Sequence, residues 1–193
     1  MLRVLIWCHG GCFGGGSPLY DAELRNYLTE HCQCKVVAVN FSLTDYSEAC
    51  VDILTECMSE DGQNIILGGI SSGGLMAHRL AEYCNLPVIL VCPVIKPASR
   101  HASLPEDLQA KQLKFFHTLE DMQRIEDDIP LPRSPCHIIY GTNDNRANGF
   151  YDWLTLKNVT SSALDRGHDI CNDPPRELIA KQLNDMFETA SRT

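Results

Sequence analysis

The chain has 193 residues, 44% of them hydrophobic and 21% charged; at about 1.3 times a ~150-residue domain it predicts one domain with a sizeable core and excludes collagen-like, coiled-coil and low-complexity organisation. Sixteen Lys and Arg against 25 Asp and Glu leave a net charge of −9, the wrong sign for displacing counterions from phosphate, so no nucleic acid is expected as a partner. The longest apolar stretch, Val88 to Ile95, is eight residues and carries a proline, far short of the ~20 that cross a bilayer, so no membrane span is expected.

Short β-rich runs alternate with helix-length amphipathic segments, the signature of successive β-α-β units. The runs are Arg3–Cys8, Lys35–Phe41, Asn64–Ile70, Val88–Ile95, Cys136–Tyr140 and, more weakly, Thr160–Asp165. Most are continuous rather than alternating, as strands covered on both faces should be. Between them Asp21–His31, Asp45–Ser59, Ser72–Cys84 and Asn148–Leu156 have the length and composition of crossover helices. Asp173-Pro174-Pro175 opens a last helix in which Ile179, Leu183, Met186 and Phe187 share one face. The fold class that follows is α/β, a three-layer, doubly wound, mainly parallel sheet of six strands.

Lys96 to Pro135 breaks this rhythm. It separates two strands by some forty residues, too many for a simple crossover, and holds helical stretches around Leu104–Leu119. A short cap inserted at about 96–135 into a single 1–193 domain is expected; the competing reading is an ordinary crossover helix with long arms.

Ten cysteines make up about 5% of the chain, below the ~8–10% of a disulfide scaffold. The opening Met1–Trp7 lacks a basic leader followed by an apolar region and a cleavage site, so reduced thiols and a cytoplasmic location are expected. The sequons Asn40-Phe41-Ser42 and Asn158-Val159-Thr160 then carry no weight. Cys32-Gln33-Cys34 beside His31 has no second pair at finger spacing, so no metal is expected there.

The chemistry concentrates where a buried strand runs into a helix, Asn64-Ile65-Ile66-Leu67-Gly68-Gly69-Ile70-Ser71-Ser72-Gly73-Gly74. Gly69, Ser71 and Gly73 form Gly-x-Ser-x-Gly in the strand-turn-helix setting of a nucleophile elbow, where the glycines remove clashes around a strained serine. Ser72 fits less well because the residue two before it is Ile70. The competing reading is a glycine-rich turn with a helix-capping serine.

Cys8-His9-Gly10-Gly11-Cys12-Phe13-Gly14-Gly15-Gly16 follows the first strand. Its amides, with that of Ser72, could receive an oxyanion. The competing phosphate cradle lacks both the Walker and the dinucleotide spacing. His9 is expected to orient this loop. A serine nucleophile needs a base and an orienting acid. Asp144, in Tyr140-Gly141-Thr142-Asn143-Asp144 after the fifth strand, and His168, in Arg166-Gly167-His168-Asp169 after the sixth, stand in the order acid then base. His31, His78, His101, His117 and His137 follow no late strand end, and Asp152, Asp165 and Asp169 are worse placed than Asp144.

His9-Gly10-Gly11-Cys12-Phe13, Gly69-Ile70-Ser71-Ser72-Gly73-Gly74, Gly141-Thr142-Asn143-Asp144 and Gly167-His168 together resemble the α/β-hydrolase superfamily, from about Arg3 to the last helix. Within it the His-Gly-Gly loop and Val39-Asn40-Phe41-Ser42-Leu43 are similar to hormone-sensitive-lipase-type carboxylesterases and arylformamidases. The resemblance implies a serine esterase or thioesterase with Ser71 as nucleophile, His168 as base and Asp144 as orienting acid. Gly10, Gly11 and Ser72 stand at the oxyanion-hole positions, and the chemistry uses no cofactor and a small-molecule acyl substrate.

There are departures. Two leading strands are missing before the His-Gly-Gly strand, Cys12 replaces the third glycine, and Ile70 replaces the usual aspartate before the nucleophile. Without the leading strands the expected order is 2-1-3-4-5-6, whose reversal between the first and third strands is a ligand-binding switch point. Two rival functions stand beside the hydrolase. One is an inactive hydrolase fold that binds a partner or small ligand; the other is a flavodoxin-like phosphate binder using Gly10–Ser17. Cys8 and Cys12 flank the glycine loop, and their oxidation would distort it if they are not inert packing thiols.

Overall fold

The computed structural model describes residues 2–8, 18–39, 55, 64–116, 118–147 and 149–190. Its aliphatic runs pair as β1 (Arg3–Cys8), β2 (Lys35–Val39), β3 (Asn64–Ile70), β4 (Val88–Val91), β5 (Cys136–Gly141) and β6 (Val159–Leu164). All pairs are parallel and the order is β2-β1-β3-β4-β5-β6, so the switch point lies between β1 and β3 as expected. The helices are α1 (Pro18–Cys32), α2 (Ser72–Cys84), α3 (Pro97–His101), α4 (Glu106–Phe116), α5 (Leu119–Asp127) and α6 (Arg176–Ala190).

Register assigns the two faces. Cys8, Gly69 and Leu90 stand in one row, and Trp7, Gly68 and Ile89 in the next; successive residues of a strand point to opposite sides. A Cβ on Gly69 would lie 2.9 Å from Cβ of Ala77, so α2 covers the first row. On the second face the Asn64 amide donates to the Phe187 carbonyl of α6 at 3.0 Å. There α1 packs beside α6 through Cys32 to Ala180 and Asn184 to His31. Both faces are thereby dry, which is why Leu5, Ile6, Ile66, Leu67, Ile89 and Leu90 are fully buried and why their runs carry no polar alternation. Ile179, Leu183 and Phe187 of α6 are buried as expected, and Met186 is half-buried.

Two boundaries differ from the sequence expectation. The fourth strand stops at Val91 rather than Ile95 because Cys92 takes φ 43°, outside the β region. In place of a helix over Asn148–Leu156 there is a single 3-10 turn, Tyr151–Thr155. Gly149 before it has φ 81°, and a Cβ there would sit 2.6 Å from Cγ of Lys96, so the chain is pinned against Ile95 and Lys96 just ahead of α3 and cannot extend a helix backwards. β6 is an edge strand, and its exposed Thr160 and Ser161 explain why its sequence signal was the weakest. The predicted helix at Asp45–Ser59, Thr55 apart, and residues 40–41 of the second run lie outside the described residues.

Between β4 and β5 the chain forms α3, α4 and α5, then returns extended through Ile129–Pro135. These helices rest on the start of α2: Leu75, Phe116 and Met122 form a second small core with Leu113, Ile125 and Ile129 around it. The buried Glu82 carboxylate accepts the amides of Arg133 and Ser134 at 2.9 and 3.0 Å, and His78 Nε2 donates to the Pro130 carbonyl at 2.8 Å.

Candidate active site

β3 passes into α2 through Ser71, whose backbone takes φ 53° and ψ −120°. A non-glycine residue there is strained by on the order of 1–3 kcal/mol and persists only where its surroundings hold it. The Ser71 amide donates to the Val91 carbonyl at 2.9 Å, and the Ser71 carbonyl accepts from Gly74 and Val94 at 3.0 and 3.1 Å. A Cβ on Gly69 would lie 2.3 Å from the Gly73 carbonyl oxygen, which is the clash that the glycine avoids. Ser71 occupies the N-cap position of α2 yet makes no side-chain cap bond, so the helix-capping reading of this serine does not hold. Its Oγ stands 3.3 Å from His168 Nε2 instead.

His168 opens a 3-10 turn, His168–Cys171, just beyond β6. The loops after β5 and β6 are pressed together. A Cβ on Gly141 would lie 2.3 Å from the Arg166 carbonyl oxygen, and the Asn143 amide donates to that same oxygen at 3.1 Å. Asn143 Nδ2 also donates to Asp165 at 2.7 Å. This contact carries Asp144 to the imidazole, and His168 Nδ1 donates to Asp144 Oδ2 at 2.8 Å and Oδ1 at 3.0 Å. Oδ1 accepts the amides of Arg146 and Ala147 at 2.7 and 3.0 Å.

The Asp144 side chain is fully shielded from solvent and that of His168 is 12% exposed. Burial alone would push the Asp144 carboxyl up; the His168 hydrogen bond and charge, with the two amides, outweigh it and hold the group at about 2. Asp144 is therefore ionised at neutral pH and keeps the proton of a neutral His168 on Nδ1, leaving Nε2 to accept from Ser71. The 3.3 Å separation is slightly long for proton transfer, as in sites awaiting substrate.

The rival side chains are engaged elsewhere. Asp169 pairs with Arg166 at 2.8 Å, His101 with Gln112 at 2.8 Å, and His137 with Thr160 and Ser162 at 2.7 and 3.1 Å. His31 bonds the Tyr27 carbonyl and stacks on the Tyr27 ring, turned from the thiols of Cys32 and Cys34, which bond to carbonyls of Ala180 and Leu28. Among the described residues no three His, Cys, Asp or Glu side chains group around a metal-sized space.

Ser72, the first residue of α2, is buried beside Ser71. Gly10 and Gly11 lie outside the described residues, as do His9, Cys12 and His117; β1 ends at Cys8, the register partner of Gly69. One participant the sequence reading passed over is Cys171, whose Sγ stands 3.5 Å from His168 Nε2. Its thiol is held well above the usual range by Cys92 and by burial, with Ser71 opposing the shift. The i, i+3 spacing His168-x-x-Cys171 was a signal for the first contact; nothing local signalled Cys92.

A family described as alpha/beta hydrolase fold matches residues 5–133. No curated protein matches the sequence. The structure is similar to carboxyl esterase 2 of the mycorrhizal fungus Tuber melanosporum, with a TM-score of 0.70 and 18% identity over 96% of this chain and 77% of that one. A Rhizomucor miehei esterase gives 0.71 and 18% identity over 97% and 73%. An esterase of the bacterial hormone-sensitive lipase family gives 0.64 and 13% identity over 97% and 76%.

Proposed function

Since the chain belongs to the α/β-hydrolase family, we propose that it is a serine hydrolase that cleaves a carboxylic ester or thioester through Ser71, His168 and Asp144. One observation carries this reading: a strained serine makes no cap bond and stands 3.3 Å from an imidazole whose other nitrogen donates to a shielded carboxylate. Ser71 Oγ attacks the acyl carbonyl as Nε2 takes its proton, and Asp144 stabilises the imidazolium. The amides of Gly10, Gly11 and Ser72 receive the developing oxyanion, each worth about 2.7–4 kcal/mol where such donors have been removed. The imidazolium protonates the leaving alcohol or thiol, and water activated by the same nitrogen releases the acid.

The esterases to which the fold is similar favour an ester over an amide. Residues 96–135 are a cap within a single 1–193 domain, bearing on the elbow through Leu75. Most of its apolar side chains serve packing, since Leu104, Phe116 and Met122 are buried. The location is cytosolic, in keeping with seven free thiols among the described residues, where no helix is long and apolar enough to cross a membrane. An inactive, ligand-binding relative has no observation in its favour, because nothing in the Ser71–His168–Asp144 chain is broken.

The test is reaction with a fluorophosphonate, read by intact mass, beside turnover of short-chain p-nitrophenyl esters. One adduct on Ser71, lost in Ser71→Ala and His168→Ala with turnover down by about 10⁴–10⁶, is expected. A folded wild-type protein that takes no adduct overturns the mechanism.

A further inference from the structure

We propose that Cys171 is a positioning residue for the base: its thiol holds the Nε2 lone pair of His168 in the free enzyme and yields it to Ser71 when substrate enters, a role that rests on the hydrolase reading above. Because Nδ1 donates to Asp144 at 2.8 Å, neutral His168 carries no proton on Nε2 and offers a single acceptor site there. Two donors face it, Ser71 Oγ at 3.3 Å and Cys171 Sγ at 3.5 Å. The hydroxyl distance is long for an oxygen donor. The thiol distance is shorter than the 3.6 and 3.7 Å at which Cys32 and Cys34 bond their carbonyls.

Backbone geometry supplies the second donor. Side chains at i and i+3 of a 3-10 turn eclipse, so the turn His168–Cys171 stacks its thiol against the imidazole. Asp169 fixes that turn: its carboxylate pairs with Arg166 at 2.8 Å and accepts the Gly167 amide at 3.0 Å, and its carbonyl accepts the Asn172 amide at 2.8 Å. A thiol is a weak donor. When an acyl carbonyl draws the Ser71 hydroxyl onto Nε2, the S–H turns away at little cost, whereas a hydroxyl at position 171 would compete with Ser71 on equal terms. Once Ser71 Oγ carries the acyl group it has no proton to give, and Cys171 again holds the ring in place until the hydrolytic water takes over Nε2.

This contact has a signature in pH. A donor to the neutral imidazole favours the neutral form, so its removal moves the acid limb of the activity profile, which reports protonation of the free base, to higher pH. Among the described residues the other groups that face His168 are Asp144 from the loop after β5, Ser71 from the start of α2, and Asp169 of its own turn, which is committed to Arg166. Beyond them stand Cys92 after β4, which acts on Cys171, and Tyr151 of the 3-10 turn before β6, whose phenol is raised by burial and by Asp144. Substitution at 171 leaves all of these in place.

The experiment follows the rate of fluorophosphonate labelling against pH for reduced wild type, Cys171→Ala and Cys171→Ser. In Cys171→Ala the acid limb should rise by about 0.4 pH unit, the equivalent of a weak neutral hydrogen bond, and the plateau rate by up to about twofold, as Nε2 is no longer shared. Cys171→Ser keeps a donor, so its limb should stay at or below that of wild type while its plateau falls. A merely structural role lowers the plateau in both variants and moves neither limb. A second readout needs no turnover: in Ser71→Ala protein, adding Cys171→Ala should raise the midpoint of the His168 ring titration seen by NMR. An acid limb that does not rise in Cys171→Ala, or one that rises equally in Cys171→Ser, overturns the role and leaves the hydrolase reading standing. If Cys171→Ala does not fold, a Cys171→Ser limb above that of wild type overturns the role by itself. Wild type that takes no adduct overturns the hydrolase reading and the role together.

Discussion

Asp144→Asn preserves side-chain shape and separates the two tasks of this carboxylate. Oδ1 can still accept the Arg146 and Ala147 amides, 2.7 and 3.0 Å away, while an NH2 group replaces the oxygen that faces His168 Nδ1 at 2.8 Å. Two donors cannot share that contact, so Nδ1 must become the acceptor and the imidazole proton moves to Nε2. A protonated Nε2 cannot take the Ser71 proton. Loss of the tautomer lowers kcat by about 10⁴ in a serine triad, equivalent to roughly 5 kcal/mol of barrier. Loss of the charge-assisted hydrogen bond costs only about 1.5–3 kcal/mol of stability.

The pH dependence supplies an independent check. Asp144 is lowered from 3.8 to about 2 in the folded protein, so the unfolded chain binds its proton first as pH falls. The corresponding stability, about 2 kcal/mol, is complete above pH ~4 and is lost as pH falls through about 2. The assay is kcat for a p-nitrophenyl ester with Ser71→Ala as the floor, paired with urea unfolding of wild type and Asp144→Asn at pH 5 and pH 2.5. A folded Asp144→Asn protein whose kcat stays within tenfold of wild type refutes the tautomer argument. Wild-type and variant stabilities that fall in parallel over that pH interval refute the placement of the charge.

Gly69→Ala places a Cβ 2.3 Å from the Gly73 carbonyl oxygen, and should cost about 1–3 kcal/mol in urea unfolding and slow fluorophosphonate labelling by moving the Ser71 turn. Gly167→Ala meets Asp169 Oδ1 at 3.3 Å and the Asn143 carbonyl oxygen at 3.8 Å, and should change stability by less than about 0.5 kcal/mol; equal losses in the two variants contradict the steric account. His137 is lowered from 6.5 to about 4 by burial, with Lys181 adding to it and Asp185 opposing. The unfolded chain therefore takes its proton first and wild-type stability falls by up to about 3 kcal/mol as pH drops from 6.5 to 4. His137→Gln should flatten that part of the stability profile measured by thermal unfolding, and an unchanged slope contradicts it.

What the residues determined alone is local or periodic. Continuous aliphatic runs such as Ile65–Leu67 and Val88–Val91 marked strands covered on both faces, because such strands leave no position facing water. The elbow was legible because its constraint spans five residues: Gly69 is needed where the Gly73 carbonyl passes at 2.3 Å from its would-be Cβ. Asp144 and His168 could be chosen because strand ends of a doubly wound sheet open on one edge, so order along the chain stood in for position in space.

The tertiary structure decided what depends on contacts between distant segments. β4 stops at Val91 because Cys92 turns to φ 43°, and residues 149–156 hold only a 3-10 turn because Gly149 is pinned against Lys96. Neither constraint is visible in the run itself. The closeness of Asp144 to His168 arises where Gly141 lets the β5 loop press on the Arg166 carbonyl. Ser71 and His168, 97 positions apart, meet at 3.3 Å only because β3 and β6 are parallel strands of one sheet and open at the same end. Sequence spacing carries information across one turn or one strand; which serine faces which imidazole is fixed by the packing of separate loops at one end of the sheet.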